Sequence, residues 1–78
     1  MKNKDIILLP SHIETFNFIK KFIEKNIYSP EISEVAEKIE LTSRQAWRLI
    51  NDLISLGYLS KTPHKKRSIK VERERIDR

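Results

Sequence analysis

With 78 residues, a net charge of +5 and one glycine, the chain has room for a single small domain. It contains no cysteine, which excludes disulfide staples and thiolate metal sites and fits a reducing cytoplasm. Its longest apolar run, Ile6 to Leu9, is too short for a membrane span or the core of a signal peptide.

The charge is unevenly placed. Between Leu41 and Val71 the ionised groups are Arg44, Arg48, Lys61, Lys65, Lys66, Arg67 and Lys70 against Asp52 alone. Residues 1–40 carry six basic and seven acidic groups, and residues 72–78 three of each. All the excess positive charge is therefore in the second half, where it would attract a polyanion. A merely solvated surface is the ordinary alternative.

In chain order, residues 1–7 are expected to form an N-terminal arm. A first helix is expected from Ser11, with Glu14 three residues on as its capping box and Pro10 at the boundary. Ile13, Phe16, Ile19, Ile23 and Ile27 fall on one helical stripe and form its expected core face. Phe18 and Phe22 lie off that stripe. They reach either a second flank of the core or a protein interface, because an aromatic beside Lys21 and Lys25 gains little from water.

Tyr28, Ser29 and Pro30 end that helix. A second helix is expected at about 32–40, with Ile32, Val35, Ala36 and Ile39 inward and Glu34, Glu37 and Lys38 outward. Glu40, Leu41 and Thr42 make a tight turn in which Leu41 plugs the core. Thr42 with Gln45 is a second capping pattern and starts a third helix over about 43–56. Ala46, Leu49, Ile50, Leu53 and Leu56 share its inner face, and Arg44, Arg48, Asn51 and Ser55 the opposite one. Gly57 closes it in a left-handed conformation. Strands at about 58–62 and 68–71 then flank Pro63, His64, Lys65, Lys66 and Arg67, a β-hairpin with a charged tip. The tail over 72–78 alternates in charge. It could extend the strand, form a brief helix or stay disordered.

Helix, tight turn and helix is the arrangement that presents its second helix to the major groove. Arg44 and Arg48 suit guanine O6 and N7, and Asn51 suits adenine N6 and N7. Thr42, Ser43 and the free N–H groups of the first turn suit a phosphate, and Gln45 is a further candidate DNA-binding residue. Lys61, His64, Lys65, Lys66 and Arg67 would hold the backbone or enter the adjacent minor groove. Trp47 lies at the edge of the basic face. It packs on thymine methyls or sugar, stacks on an unpaired base, or covers the junction with the second helix.

These residues resemble a known family. From about Leu8 to Val71 the chain is similar to the winged-helix DNA-binding domain of the LexA repressor. The similarity lies in FIKKFI, Tyr28-Ser29-Pro30, ISEVAEKIEL, LTSRQAWRLINDLISLGYL and the hairpin PHKKRSIKV. The resemblance implies an α+β, mostly α fold: a winged helix-turn-helix of three helices plus a C-terminal hairpin wing, spanning 8–71. It also implies duplex binding, often as a dimer on a palindrome. Ile27 and Glu40 stand where that family usually has glycine, and the third helix is one residue shorter. The 78 residues leave no room for the Ser-Lys self-cleaving domain, so cleavage-controlled repression is not expected.

No enzyme is expected. His12 and His64 are the only histidines, without metal-ligand spacing or a glycine-rich phosphate loop, so neither cofactor nor metal is anticipated. The leading expectation is a sequence-specific transcriptional regulator acting on duplex DNA. One alternative is a replication or mobile-element accessory protein that holds single strands or junctions. Another is a protein-interaction module working through Phe18, Phe22 and the acidic face of the second helix.

Overall fold

The computed structural model describes residues 6–74 and Ile76; most of the arm, residues 1–5, and positions 75, 77 and 78 of the tail lie outside the described residues. Among the described residues, three helices precede an antiparallel hairpin. They are α1 (Pro10–Asn26), α2 (Ile32–Lys38) and α3 (Ser43–Ser55), followed by β1 (Leu59–Lys61) and β2 (Ile69–Val71). No helix among the described residues is long and apolar enough to cross a membrane.

The start of α1 differs from the expected Ser11 box. Pro10 is the first helical residue and Leu9 the N-cap. Proline is well suited to that position, because its fixed φ matches the helix and its missing N–H would have no helical partner anyway. The free N–H of Leu9 is taken by the ring of His12, donating to Nδ1 at 2.9 Å. Glu14 stays in solvent. The buried face is also rotated from the expected stripe. His12, Thr15, Phe16 and Ile19 are buried, Ile13 and Ile23 are half-buried, and Ile27 is 88% exposed. Because the helix has ended at Asn26, Ile27 no longer follows its phase.

Ile27 is instead the C-cap, at φ 67°. Similarly, α2 stops at Lys38, short of the expected Glu40, and Glu40 takes φ 61° in the turn that follows. Left-handed backbone costs an L-residue about 1–2 kcal/mol, and a β-branched one most of all. Ile27→Gly is therefore expected to stabilise the domain by about 1 kcal/mol after the added freedom of the unfolded chain is subtracted. For a domain of this size that raises Tm by roughly 4–8 °C. Glu40→Gly should add a similar gain. Thermal unfolding followed by circular dichroism checks both, and a fall in Tm for Ile27→Gly would contradict the strain argument.

Helix α3 begins as expected. Gln45 N–H donates to Thr42 Oγ1 and Thr42 N–H to Gln45 Oε1, both at 3.1 Å. It ends with Gly57 at φ 87°, where Tyr58 N–H donates to the Leu53 carbonyl and Gly57 N–H to that of Ile54. This paired closure turns the chain at once into β1. The strands are shorter than expected and pair Leu59 with Val71, Ser60 with Lys70 and Lys61 with Ile69. Glu72 N–H then donates to the Tyr58 carbonyl at 2.9 Å, so the tail continues the ladder by one bond.

The core lies between α3 and everything else. Phe16, Ile19, Val35, Ile50, Leu53 and Leu59 are almost fully enclosed, with Ala46 and Ile69 beside them. Phe16 meets Tyr58 edge to face at 6.0 Å, the geometry aromatic pairs prefer. Leu41, expected as a plug, is only half-buried. Buried Ser29 accepts the Ile69 N–H at its Oγ and donates to the Pro30 carbonyl. One side chain thereby satisfies the outer edge of β2 where a third strand could have paired.

Candidate nucleic-acid interface

The turn between α2 and α3 and the capping box fix the direction of α3, and one half-buried pair fixes it further. His12, 3% exposed, faces Asp52 of α3 with Nε2 at 2.8 Å from Oδ2. Because Nδ1 already accepts the Leu9 N–H, the proton sits on Nε2 and is donated to the carboxylate. The start of α1 is thus tied to the inner flank of the helix that carries the basic face. Nothing in the spacing of His12 and Asp52, forty residues apart, marks them as partners.

On the outer side of α3, Arg44, Arg48 and Asn51 are exposed at helical spacing, with Trp47 40% exposed beside them. Thr42, Ser43 and Gln45 are exposed at its start. The Thr42 hydroxyl and the Gln45 amide oxygen are committed to the cap, where they accept the Gln45 and Thr42 N–H groups, so these two side chains hold the helix start and the N–H groups of Ser43 and Arg44 point out of it. Trp47 also lines an open groove between α3 and the hairpin. Its apolar floor is Trp47, Ile54 and Pro63 with Ile32 of α2; Asn51, Lys61 and His64 complete it. The apolar part of this groove was not legible in the sequence, because Ile54 reads there as an ordinary helix residue and Pro63 as a turn residue.

The hairpin tip divides into structural and free cations. Lys61 donates from Nζ to the Lys65 carbonyl at 2.7 Å, and Ser68 Oγ donates to the same carbonyl. Arg67, expected as a wing cation, is engaged within the chain. Its guanidinium turns back onto α2, Nη1 donating to Glu34 Oε1 and Nη2 to Glu34 Oε2, both at 3.1 Å. Nη1 also donates to the Ser29 carbonyl at 3.2 Å, Nε lies 3.5 Å from Glu31, and the group sits 5.1 Å over the Tyr28 ring. A planar fork matches a carboxylate better than a solvated position does. His64, Lys65 and Lys66 are left facing solvent.

The Arg67 clasp has a pH signature. The Glu31 backbone N–H and then the Arg67 guanidinium hold the Glu34 carboxyl below its ordinary value of 4.5. The Glu34 carboxylate in turn raises Arg67 above its ordinary range, so Arg67 stays charged throughout. A carboxyl depressed in the folded state stabilises the fold above its unfolded value, and that contribution is lost as pH falls through the folded one. Amide exchange at 62–69 is therefore expected to accelerate as pH drops below the ordinary carboxylate range, after correction for intrinsic rates. Glu34→Gln should abolish that step, and an identical step in the variant would mean that another group holds the clasp.

Phe18 and Phe22, candidates for a protein interface, are half-buried. They form an edge-to-face row with Tyr28, at 5.7 Å and 5.6 Å, which Arg67 then covers. The row joins α1 to the wing within the chain itself.

Three helices with a paired hairpin, an outward basic face on the third helix and a charged tip beside it define a winged helix-turn-helix, a DNA-binding class. Residues 8–68 match the family model described as the LexA DNA binding domain. The chain belongs to that family. It is 36% identical over 58 residues to a LexA repressor of Thermosipho melanesiensis, covering 74% of this chain and 29% of the relative. It is 36% identical over 56 residues to one of Thermotoga petrophila, covering 72% and 28%, and 37% over 54 residues to one of Thermotoga neapolitana, covering 69% and 27%. The chain thus spans less than a third of the length of these curated relatives.

Proposed function

We propose that this protein is a cytoplasmic, sequence-specific transcriptional regulator that acts by occupying duplex DNA rather than by catalysis. The observation that carries this is the exposed row of Arg44, Arg48 and Asn51 on a capped helix whose other face is locked into the core. Arginine forks and a carboxamide can each make bidentate bonds with base edges in the major groove, and a rigid helix holds them in register. The Ser43 hydroxyl and the N–H groups of Ser43 and Arg44 meet a phosphate, with the Thr42–Gln45 cap holding them in place. Lys65 and Lys66, with His64, supply the salt-sensitive grip on the backbone. Lys61 and Arg67 contribute by holding the wing in position.

Selection from randomised duplexes tests this. An enriched motif is expected, and a palindromic one would mean that two copies bind together, since operator symmetry mirrors protein symmetry. Tight binding with no enriched motif would overturn the proposal.

The exposure of Trp47 favours one second reading, the holding of single strands or junctions by base stacking. Tryptophan quenching by oligo-dT stronger than by duplex at equal salt would select it.

A further inference from the structure

Trp47 is the largest apolar side chain left in solvent on α3, at 40% exposure. It stands three residues after Arg44 and four before Asn51, so on one side it borders the base-reading row. On its other side it forms the apolar floor of the groove with Ile54 and Pro63. A floor of this kind facing water is unfavourable unless something covers it.

With α3 in the major groove and the hairpin at the neighbouring minor groove, one DNA strand has to pass between them, over this floor. That strand offers two apolar features, the deoxyribose and the thymine methyl. Only the methyl projects into the major groove, within reach of a side chain one helical turn from Asn51.

We infer that Trp47 is a specificity-determining residue that receives the C5-methyl of a thymine on the strand lying between α3 and the wing. The inference rests on the duplex-reading function proposed above. A helical turn spans 5.4 Å and a base step about 3.4 Å, so the thymine should lie about one to two base pairs from the pair read by Asn51. The indole then discriminates thymine from cytosine where no hydrogen bond is made.

The test uses the full chain and its selected duplex. Each thymine is replaced in turn by uracil, which keeps the pairing and removes only the methyl. One thymine per bound copy is expected to show about four-fold weaker binding when demethylated, the effect of burying one methyl-sized group. In Trp47→Ala, and in Trp47→Gln as a second variant, the thymine and uracil duplexes should bind equally, with the helical circular dichroism spectrum confirming the fold. Absence of any methyl-sensitive position while motif-specific binding persists would overturn the inference alone. So would unchanged methyl sensitivity in both variants, or a loss on Trp47 substitution that is equal for every sequence, the mark of deoxyribose packing. A selection that returned no motif would overturn the duplex reading itself, and the inference with it.

Discussion

Phe16→Ala is expected to cost about 3–5 kcal/mol and to leave the domain largely unfolded near physiological temperature. Phe16 is fully enclosed and touches the C-terminal half of the fold through the Tyr58 ring at 6.0 Å. Its removal opens a cavity between α1 and the α3–β1 unit. Small domains have little reserve. Total stabilities run at about 0.05–0.15 kcal/mol per residue, so a chain of this length has roughly 4–12 kcal/mol in all. Chemical denaturation of the variant should show either no folded baseline or a midpoint far below that of the parent. Phe18→Ala, at a half-buried site, should lose much less. Near-parental stability for Phe16→Ala would mean that α1 is not part of the core.

Arg44→Ala and Arg48→Ala are each expected to weaken binding to the selected duplex by about 1–3 kcal/mol, roughly 5- to 150-fold. Both arginines are exposed and lie outside the hydrophobic core of the described residues, so thermal stability should change little. The two classes of cation are expected to behave differently. Loss of a reading arginine relaxes preference at one base position, whereas Lys65→Ala or Lys66→Ala weakens all sequences alike and reduces the salt slope by about one. Arg67→Ala should act mainly on the wing through its bonds to Glu34 and Ser29. If Arg44→Ala and Arg48→Ala lowered affinity equally for every duplex, both would be grip residues and specificity would lie elsewhere.

The elements that the sequence revealed are those governed by local rules. The Thr42–Gln45 box, Gly57 and the apolar periodicity of α3 are each satisfied within a turn or two of chain. Their boundaries were accordingly legible to within a residue. Features that depend on residues far apart were not. The His12–Asp52 bond joins positions forty apart, and Arg67 finds Glu34 from the far side of the hairpin. A charge count treats Arg67 as one more free cation because it does not register which carboxylate folds against it.

The misjudged start of α1 has a local cause. Two helix starts compete there, Ser11 with Glu14 and Leu9 with His12, and the latter prevails through the proline geometry at Pro10 together with the Leu9–His12 bond. The positions where the chain departs from the family's glycines were legible. Their consequence, two non-glycine residues held in left-handed backbone, required the structure.

Base reading in duplex DNA is the role proposed for α3. Titration of the intact chain with its selected duplex and with a scrambled duplex of the same composition, at one physiological salt concentration, tests it most directly. At least about 10³-fold tighter binding to the selected site is expected, the lower end for specific recognition. Equal affinity for the two duplexes would contradict it.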